Sequence, residues 1–108
     1  MNKLFIDDIR DPVDTDFVVV RSYSEAVGYI RKNGCPSVIS FDHDLGDAHE
    51  LTGFDIAKWL VERDLNDKGA FIPKDFEYHV HSANPVGAGN ITGLLNNYLE
   101  VKGRNETL

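Results

Sequence analysis

Acidic residues cluster at two places where an apolar run of the sequence ends. Asp7 and Asp8 follow "LFI", and Asp42 and Asp44 follow "VISF". Close carboxylates raise one another's pKa unless a cation lies among them, and clusters of oxygen ligands favour Mg²⁺ or Mn²⁺. We therefore predict a divalent-cation site, Mg²⁺ or Mn²⁺, with these four aspartates as metal ligands. The alternative is that the acidic pairs only cap or solvate the strand ends.

Two histidines stand two residues apart in the stretch "HVHSANP", residues 79–85. In an extended strand His79 and His81 share one face, and imidazole is well suited to proton transfer near neutral pH. We predict that both act as catalytic residues together with Asp42; a structural pair of histidines is the alternative. His43 projects away from its two acidic neighbours, so a ligand role and a structural hydrogen-bonding role both remain open for it.

Polar and glycine residues follow the histidines and could form an anion site, although their spacing matches no dinucleotide-binding or P-loop motif. We expect a glycine-containing loop there that ends where Asn90 caps the next helix, and exposed N–H groups of such a loop suit a phosphate. Arg10 could clamp the same phosphate, or it could pair with a neighbouring aspartate: Asp7, Asp8 or Asp11. A plain flexible loop is the alternative. The predicted phosphate-binding residues are Arg10, Ser82, Asn84, Gly87, Gly89 and Asn90.

Composition and charge narrow the class of partner. The chain has 108 residues and a net charge of −7, which disfavours binding to extended nucleic acid. The single cysteine, Cys35, cannot form an intrachain disulfide, and no apolar run approaches the ~20 residues of a membrane span. We expect a cytoplasmic protein that binds a small phosphorylated ligand, a nucleotide by preference, and no membrane. The sequence leaves the oligomeric state open.

The order of apolar runs predicts an α/β fold. Strands are predicted at 3–6, 17–20, 37–41 and 76–82, and helices at 23–33, 53–65 and 91–101. Alternation of this kind favours a parallel sheet, so we expect a three-layer, reduced receiver or flavodoxin-like domain over residues 1–102, followed by a polar tail over 103–108. In such sheets ligands bind beyond the carboxyl ends of the strands, where the three polar clusters would meet.

Several segments resemble known families. "LFIDDIR", Asp42 after a strand, "GFDIAKWL" and Ser82-Ala83 resemble, in that order, the landmarks of response-regulator receiver domains. The chain is still more similar to the cyclic-phosphate processing receiver domains of bacteria and phages, through "LFIDDIRDP", "SFDHDLG" and "HSANPVGAGNI". The first resemblance implies that Asp7, Asp8 and Asp42 bind Mg²⁺ and that Ser82 contacts a phosphoryl group. The second implies hydrolysis of a cyclic phosphate or a similar phosphoester.

These observations lead to one leading hypothesis and two rivals. The leading hypothesis is a metal-dependent phosphoesterase that hydrolyses a small nucleotide phosphate, cyclic or linear, in nucleotide signalling or conflict. The first rival is a non-catalytic receiver-like module that accepts a phosphoryl group on Asp42 or binds a nucleotide or protein. The second is a scaffold that has lost its chemistry and binds protein through the outer faces of its helices.

Overall fold

The strands form one parallel sheet. The computed structural model describes residues 2–46 and 51–106, with side chains to residue 103. The strands are β1 (Lys3–Ile6), β2 (Val18–Val20), β3 (Val38–Phe41) and β4 (Glu77–Val80). They lie in the order β2-β1-β3-β4, and all neighbouring pairs are parallel. The α/β class and the four parallel strands are confirmed.

The first two helices begin at the residues that the sequence indicated. Helix α1 (Tyr23–Asn33) is capped by Ser22, whose side chain accepts a hydrogen bond from the Glu25 N–H, and it ends at Gly34. Helix α2 (Gly53–Asn66) starts with a complete capping box between Thr52 and Asp55. Each cap satisfies N–H groups that have no partner inside the helix, so it fixes where the helix starts.

The third helix begins earlier than predicted. Helix α3 (Pro85–Glu106) starts at Pro85, not at residue 91, and it runs past the predicted end at Val101. Asn84 is the cap, because its side-chain oxygen accepts from the Gly87 N–H and its carbonyl accepts from the Ala88 N–H. The prediction that Asn90 caps this helix was wrong. Proline is favoured in the first turn because its missing N–H would have no helical partner there.

The three helices cover the same face of the sheet. The connections from β2 to β3 and from β3 to β4 run in the same direction across the sheet. Because such crossovers are right-handed, they place α1 and α2 on one face. Helix α3 packs against α2 and so lies on that face too. The core lies between this face and the helices. Its buried residues include Leu4, Ile6, Ile39, Phe41, Ala26, Ile30, Ile56, Leu60, Ile91 and Leu95.

One detail of the layered arrangement differs from the prediction. A helix in the β1–β2 connection would supply the third layer, but the described residues 7–17 form turns and irregular structure there. Pro12 and the shortness of the segment account for the difference. The opposite face, which carries Phe5, Ser40 and His79, is therefore without a helix in the described part of the chain. None of the described helices is both long and apolar enough to span a membrane.

The strand order reverses between β1 and β3, and this places the carboxyl ends of these strands at the point where ligands bind in such folds. Gly53 brings the start of α2 against the end of β3: its N–H donates to the His43 carbonyl at 2.8 Å. A Cβ on Gly53 would lie 2.0 Å from the Asp42 carbonyl oxygen, so no other residue fits without a shift of the backbone. The glycine therefore helps to set the position of Asp42.

Candidate functional site

Three of the predicted aspartates meet at the reversal point. Asp7 and Asp8 follow β1 and Asp42 follows β3, and one carboxylate oxygen from each lies within 4.8 Å of the other two. Asp7 and Asp42 are buried, whereas Asp8 is partly exposed. A hollow of about 340 Å³ opens beside them. It is lined by Asp8, Ile9, Arg10, Asp42, Asp44 and Ala83.

Asp7 is held by hydrogen bonds on both oxygens. Oδ1 accepts from the backbone N–H groups of Ile9, at 3.0 Å, and Arg10, at 2.8 Å. Oδ2 accepts from Arg10 Nε at 2.9 Å and lies 3.0 Å from His81 Nε2. Burial, the largest single influence, raises the pKa of Asp7, but these hydrogen bonds and the guanidinium charge together lower it below its ordinary value. Asp7 is therefore a stable carboxylate.

Asp42 has the opposite balance. Burial, and then the negative charge of Asp7, raise the pKa of Asp42; Arg10, His81 and a hydrogen bond from Ser82 lower it less. The nearest guanidinium nitrogen, Arg10 Nη2, is 3.6 Å from Asp42 Oδ2. Two carboxylates thus share one arginine, and Asp42 has the weaker interaction with it. The cluster retains negative charge that a further cation would neutralise.

Arg10 pairs with the acidic cluster. Of the alternatives that the sequence left open, the structure shows the ion pair with Asp7 and adds one with Asp42. Asp11 interacts instead with Arg21, whose Nη2 lies 2.5 Å from its carboxylate. Because the side chain of Arg10 is 49% exposed, its remaining donors face the hollow and solvent. Pairing with aspartate and contact with a phosphate are therefore compatible roles.

His81 links three strands. Its Nε2 contacts Asp7 beyond β1, its Nδ1 lies 2.7 Å from Ser40 Oγ in β3, and its ring stacks on Phe5 with centroids 4.3 Å apart and planes 6° from parallel. A neutral ring that donates from Nε2 to Asp7 accepts from the Ser40 hydroxyl at Nδ1. These contacts fix the ring orientation and direct Nε2 toward the carboxylates.

His79 lies apart from the cluster. It shares the face of His81, as predicted, but it lies two residues earlier in the strand, where it pairs with Ser40 of β3. Its side chain is exposed, and it lines a different groove with Tyr78 and Asn96. The structure therefore brings His81, and not His79, to the aspartates.

Asp44 and His43 form a pair at the rim, so the prediction that His43 projects away from both acidic neighbours was wrong for Asp44, because β3 ends at Phe41 and the chain bends at His43. Asp44 lines the hollow, but its carboxylate contacts His43 Nδ1 at 2.9 Å and is not among the three whose oxygens converge. The His43 ring also packs against α3, because a Cβ on Gly87 would lie 2.2 Å from it. For His43 the structure supports the hydrogen-bonding and packing role.

The predicted phosphate loop is the first part of α3. Gly87, Gly89 and Asn90 belong to the helix, so the expectation of a glycine loop before it was wrong. Asn84 acts as the helix cap, and Ser82 accepts from the Asn84 N–H at 3.1 Å while it donates to Asp42. Of the predicted phosphate-binding residues, Arg10, Ser82 and Asn84 lie at or beside the hollow.

The donor set fits a divalent cation. Carboxylate oxygens are the ligands that Mg²⁺ and Mn²⁺ prefer, and three of them converge here. The guanidinium of Arg10 already lies between two of the carboxylates, which shows that positive charge is stabilised at this point. Asp7, Asp8 and Asp42 are the residues that would hold the ion, with Asp44 at the rim.

Ser40 and Phe5 are contributors that the sequence analysis did not identify. A signal was present: in neighbouring parallel strands Phe5 pairs with Ser40, and Ser40 with His79, so these residues share the face of His81. A serine inside the buried run "SVISF" is a polar group that needs a partner. Recognising the partner required the strand order, which the sequence did not supply.

The fold and the site together define a small receiver-like α/β domain with an acidic pocket at its switch point. The chain belongs to the cyclic-phosphate processing receiver domain family, whose model matches residues 2–97. No curated protein and no solved structure matches the chain.

Proposed function

We propose that this protein is a divalent-cation-dependent phosphoesterase that hydrolyses a small nucleotide phosphate, a cyclic phosphate by preference. The observation that carries the proposal is the convergence of three carboxylates beside an exposed arginine and an oriented imidazole. The family description, which names cyclic-phosphate processing, supports the same substrate class. The net charge of −7 favours a small anion over a polyanion, because only local positive groups can offset it.

The reaction requires one bond to form and another to break. A water oxygen bonds to phosphorus and one ring P–O bond breaks. The water loses a proton, and the leaving oxygen gains one. A bound divalent cation polarises the phosphoryl oxygens and favours the deprotonated water. The protein must then bind the phosphate, orient it and move the proton.

His81 is suited to give a proton to the leaving oxygen, because the neutral ring with the contacts described above carries its N–H at Nε2. Its Nε2 is the ring atom directed at the carboxylates, and Ser40 and Phe5 hold the ring in that orientation. Proton transfer by a positioned side chain contributes ~10²–10⁴-fold in rate. Arg10, with donors that face the hollow, and Ser82 are the groups suited to bind the phosphate oxygens. A dianionic phosphate would compete with Asp7 and Asp42 for Arg10, so substrate and cation together would rearrange these contacts.

A panel of cyclic and linear nucleotides, with Mg²⁺, with Mn²⁺ and without divalent ions, tests the proposal by scoring cleavage of the phosphoester bond. We expect cation-dependent hydrolysis of at least one cyclic phosphate. Asp42→Asn should reduce turnover at least ~100-fold, because it removes an oxygen ligand of an ion that supplies several kcal/mol of stabilisation. The matched control is Asp75→Asn, an exposed aspartate just before β4, at the opposite end of the sheet.

Two results would contradict the proposal. The proposal is wrong if the wild-type protein cleaves no member of the panel. It is also wrong if the Asp42→Asn variant is as active as Asp75→Asn. Incubation with acetyl phosphate and Mg²⁺, followed by intact-mass measurement, checks the receiver-like alternative. A stable added phosphoryl group that disappears in Asp42→Asn would favour that alternative instead.

A further inference from the structure

The outer edge of β4 takes no part in the proposed function. In the described chain β4 pairs with β3 alone and lies last in the sheet. The N–H groups of Glu77 and His81 donate toward the β3 side. Because successive residues of a strand alternate, the N–H and C=O groups of Tyr78 and Val80 point to the free edge. Such an edge is a template for another strand.

Space for another strand lies along this edge. A groove of about 610 Å³ runs between β4 and α3, and its walls include Tyr78, Val80, Thr92 and Leu99. Its floor combines aromatic and aliphatic side chains with the unpaired strand backbone, which is the surface that an added strand covers when it joins a sheet.

The outward side of α3 beside the groove leaves room for a second helix. A Cβ at Gly89 or at Gly93 would meet no neighbouring heavy atom within 4 Å. Exposed glycine inside a helix costs ~1 kcal/mol relative to alanine, so these positions are not explained by the stability of one chain. They do allow a second helix to approach closely.

We propose that a second copy of this chain occupies the edge, through antiparallel pairing of the two β4 strands about a two-fold axis between the two Tyr78 residues. Tyr78 then lies opposite the partner's Tyr78, and Phe76 opposite the partner's Val80. Both are pairs of apolar side chains on the groove side. Because the Phe76 N–H already donates to the Pro73 carbonyl at 3.1 Å, the proposed bond at the second pair runs from the partner's Val80 N–H to the Phe76 carbonyl. A self-complementary strand edge is what a two-fold dimer requires.

Hydrogen bonding between polar side chains selects this register. On the opposite face Glu77 then lies across from the partner's His79, and the pair occurs twice by symmetry. A shift of the partner strand by two residues in either direction would instead oppose Glu77 to the partner's Glu77, or His79 to the partner's His79. Both side chains are exposed in the single chain, so they are free to form these contacts.

A charge swap tests the register. Sedimentation equilibrium of the wild-type chain at physiological ionic strength should show a reversible dimer. Glu77→Lys and His79→Glu should each raise the dimer dissociation constant, by ~10-fold if two cross-strand pairs are lost together. The double variant Glu77→Lys/His79→Glu should return it to within ~3-fold of the wild-type value. Glu62→Lys, an equivalent charge change on the exposed side of α2, is the control.

A cross-link provides a second measurement that does not depend on affinity. In a Cys35→Ser background, cysteines introduced by Glu77→Cys and His79→Cys would face one another across the two-fold axis. Oxidation should then yield a covalent dimer. A monomeric wild-type chain at the highest soluble concentration, or a double charge swap that fails to restore association, would overturn the proposal and leave the edge to a strand from a different protein. Neither result bears on phosphoesterase activity.

Discussion

Two buried aspartates, Asp7 and Asp64, lie in different parts of this molecule, and they differ in how completely the protein neutralises the charge around them. Each is fully buried, and each has its pKa lowered although burial, the largest single influence, acts to raise it. In both cases hydrogen bonds to the charged form outweigh the cost of burial. The difference lies in what surrounds them.

Asp64 is surrounded by donors that match its charge. Oδ1 accepts from the N–H groups of Phe71, at 2.9 Å, and Ile72, at 2.7 Å. Oδ2 accepts from the Tyr98 hydroxyl at 2.5 Å and pairs with Lys102 Nζ at 3.0 Å. One carboxylate thus meets one ammonium and three neutral donors. This network joins α2, the following loop and α3, so its role is structural.

The cysteine near this network is also structural. Burial, and then the negative charge of Asp64, raise the pKa of Cys35 to about 12. The reactive form of cysteine is the thiolate, so Cys35 is a poor nucleophile. This agrees with its position outside the acidic cluster.

Asp7 has as many donors as Asp64 but also has neighbouring carboxylates. Asp8 and Asp42 place oxygens within 4.8 Å, and burial, followed by the negative charge of Asp7, raises the pKa of Asp42. The negative charge that the protein leaves in this cluster is the basis of the proposed cation site. The comparison therefore predicts that Asp64 determines stability and that Asp42 determines function.

The largest expected effect is the loss of the Asp64 network. Asp64→Asn should lower the free energy of unfolding by ~3–5 kcal/mol, because it leaves the ammonium of Lys102, whose side chain is only 11% exposed, without its carboxylate. Urea denaturation followed by circular dichroism measures this change. The control is Asp67→Asn, an exposed residue three positions further along, which should change stability by no more than ~0.5 kcal/mol. Equal effects of the two variants would contradict the structural role.

Substitutions at Asp7 and Asp42 should change the free energy of unfolding in opposite directions. Asp7→Asn should destabilise the fold by ~1.5–3 kcal/mol, since its NH₂ group cannot accept and must face either the two backbone N–H groups or the Arg10 and His81 donors. Asp42→Asn should raise the free energy of unfolding, because it removes a charge that burial and Asp7 disfavour. Thermal melts without divalent ions compare the two variants, and added Mg²⁺ should raise the wild-type melting temperature more than that of Asp42→Asn. If the cluster served only to stabilise the fold, both variants would have a lower free energy of unfolding than the wild type.

The free energy of unfolding should depend on pH with one sign for Asp7 and Asp64 and with the opposite sign for Asp42. For Asp7 and Asp64 the folded-state pKa lies below the ordinary value of 3.8, so their stabilisation is present above that pH and is lost as the pH falls through the folded-state pKa. Asp42, with a raised pKa, has the opposite sign: its ionisation destabilises the fold as the pH rises past 3.8. Denaturation across the acid range should therefore show a shallower loss of stability for Asp64→Asn than for the wild type.

The sequence predicted the elements of this site better than their contacts. The strand ends at Ile6 and Phe41 and the start of α2 at Gly53 depend on local patterns, and the structure shows them as predicted. The start of α3 was misplaced because glycines suggested a loop, whereas Pro85 and the cap at Asn84 determine where the helix begins.

Contacts between strands were harder to predict. Whether His79 or His81 reaches Asp7 depends on the position of each residue along β4 relative to the ends of β1 and β3, and hence on register. The Asp64 network went unnoticed because its donors lie 7, 8, 34 and 38 residues further along the chain. No local pattern joins residues at such separations.

The smallest expected effect on stability is that of Arg10, and it bears most directly on the two roles of its side chain. Arg10→Gln should lower the free energy of unfolding by no more than ~1 kcal/mol, because the side chain is half exposed and its ion pairs are screened by solvent. Removal of the guanidinium takes a competing positive charge away from Asp7 and Asp42, so Mg²⁺ or Mn²⁺ should bind more tightly, as measured by isothermal titration. The same change should weaken binding of a nucleotide phosphate, because a bidentate donor is lost. Weaker binding of both the ion and the phosphate would mean that Arg10 organises the acidic cluster as a whole. The distinction between a carboxylate that the protein neutralises and one that binds an ion would then not apply to the aspartates that Arg10 contacts.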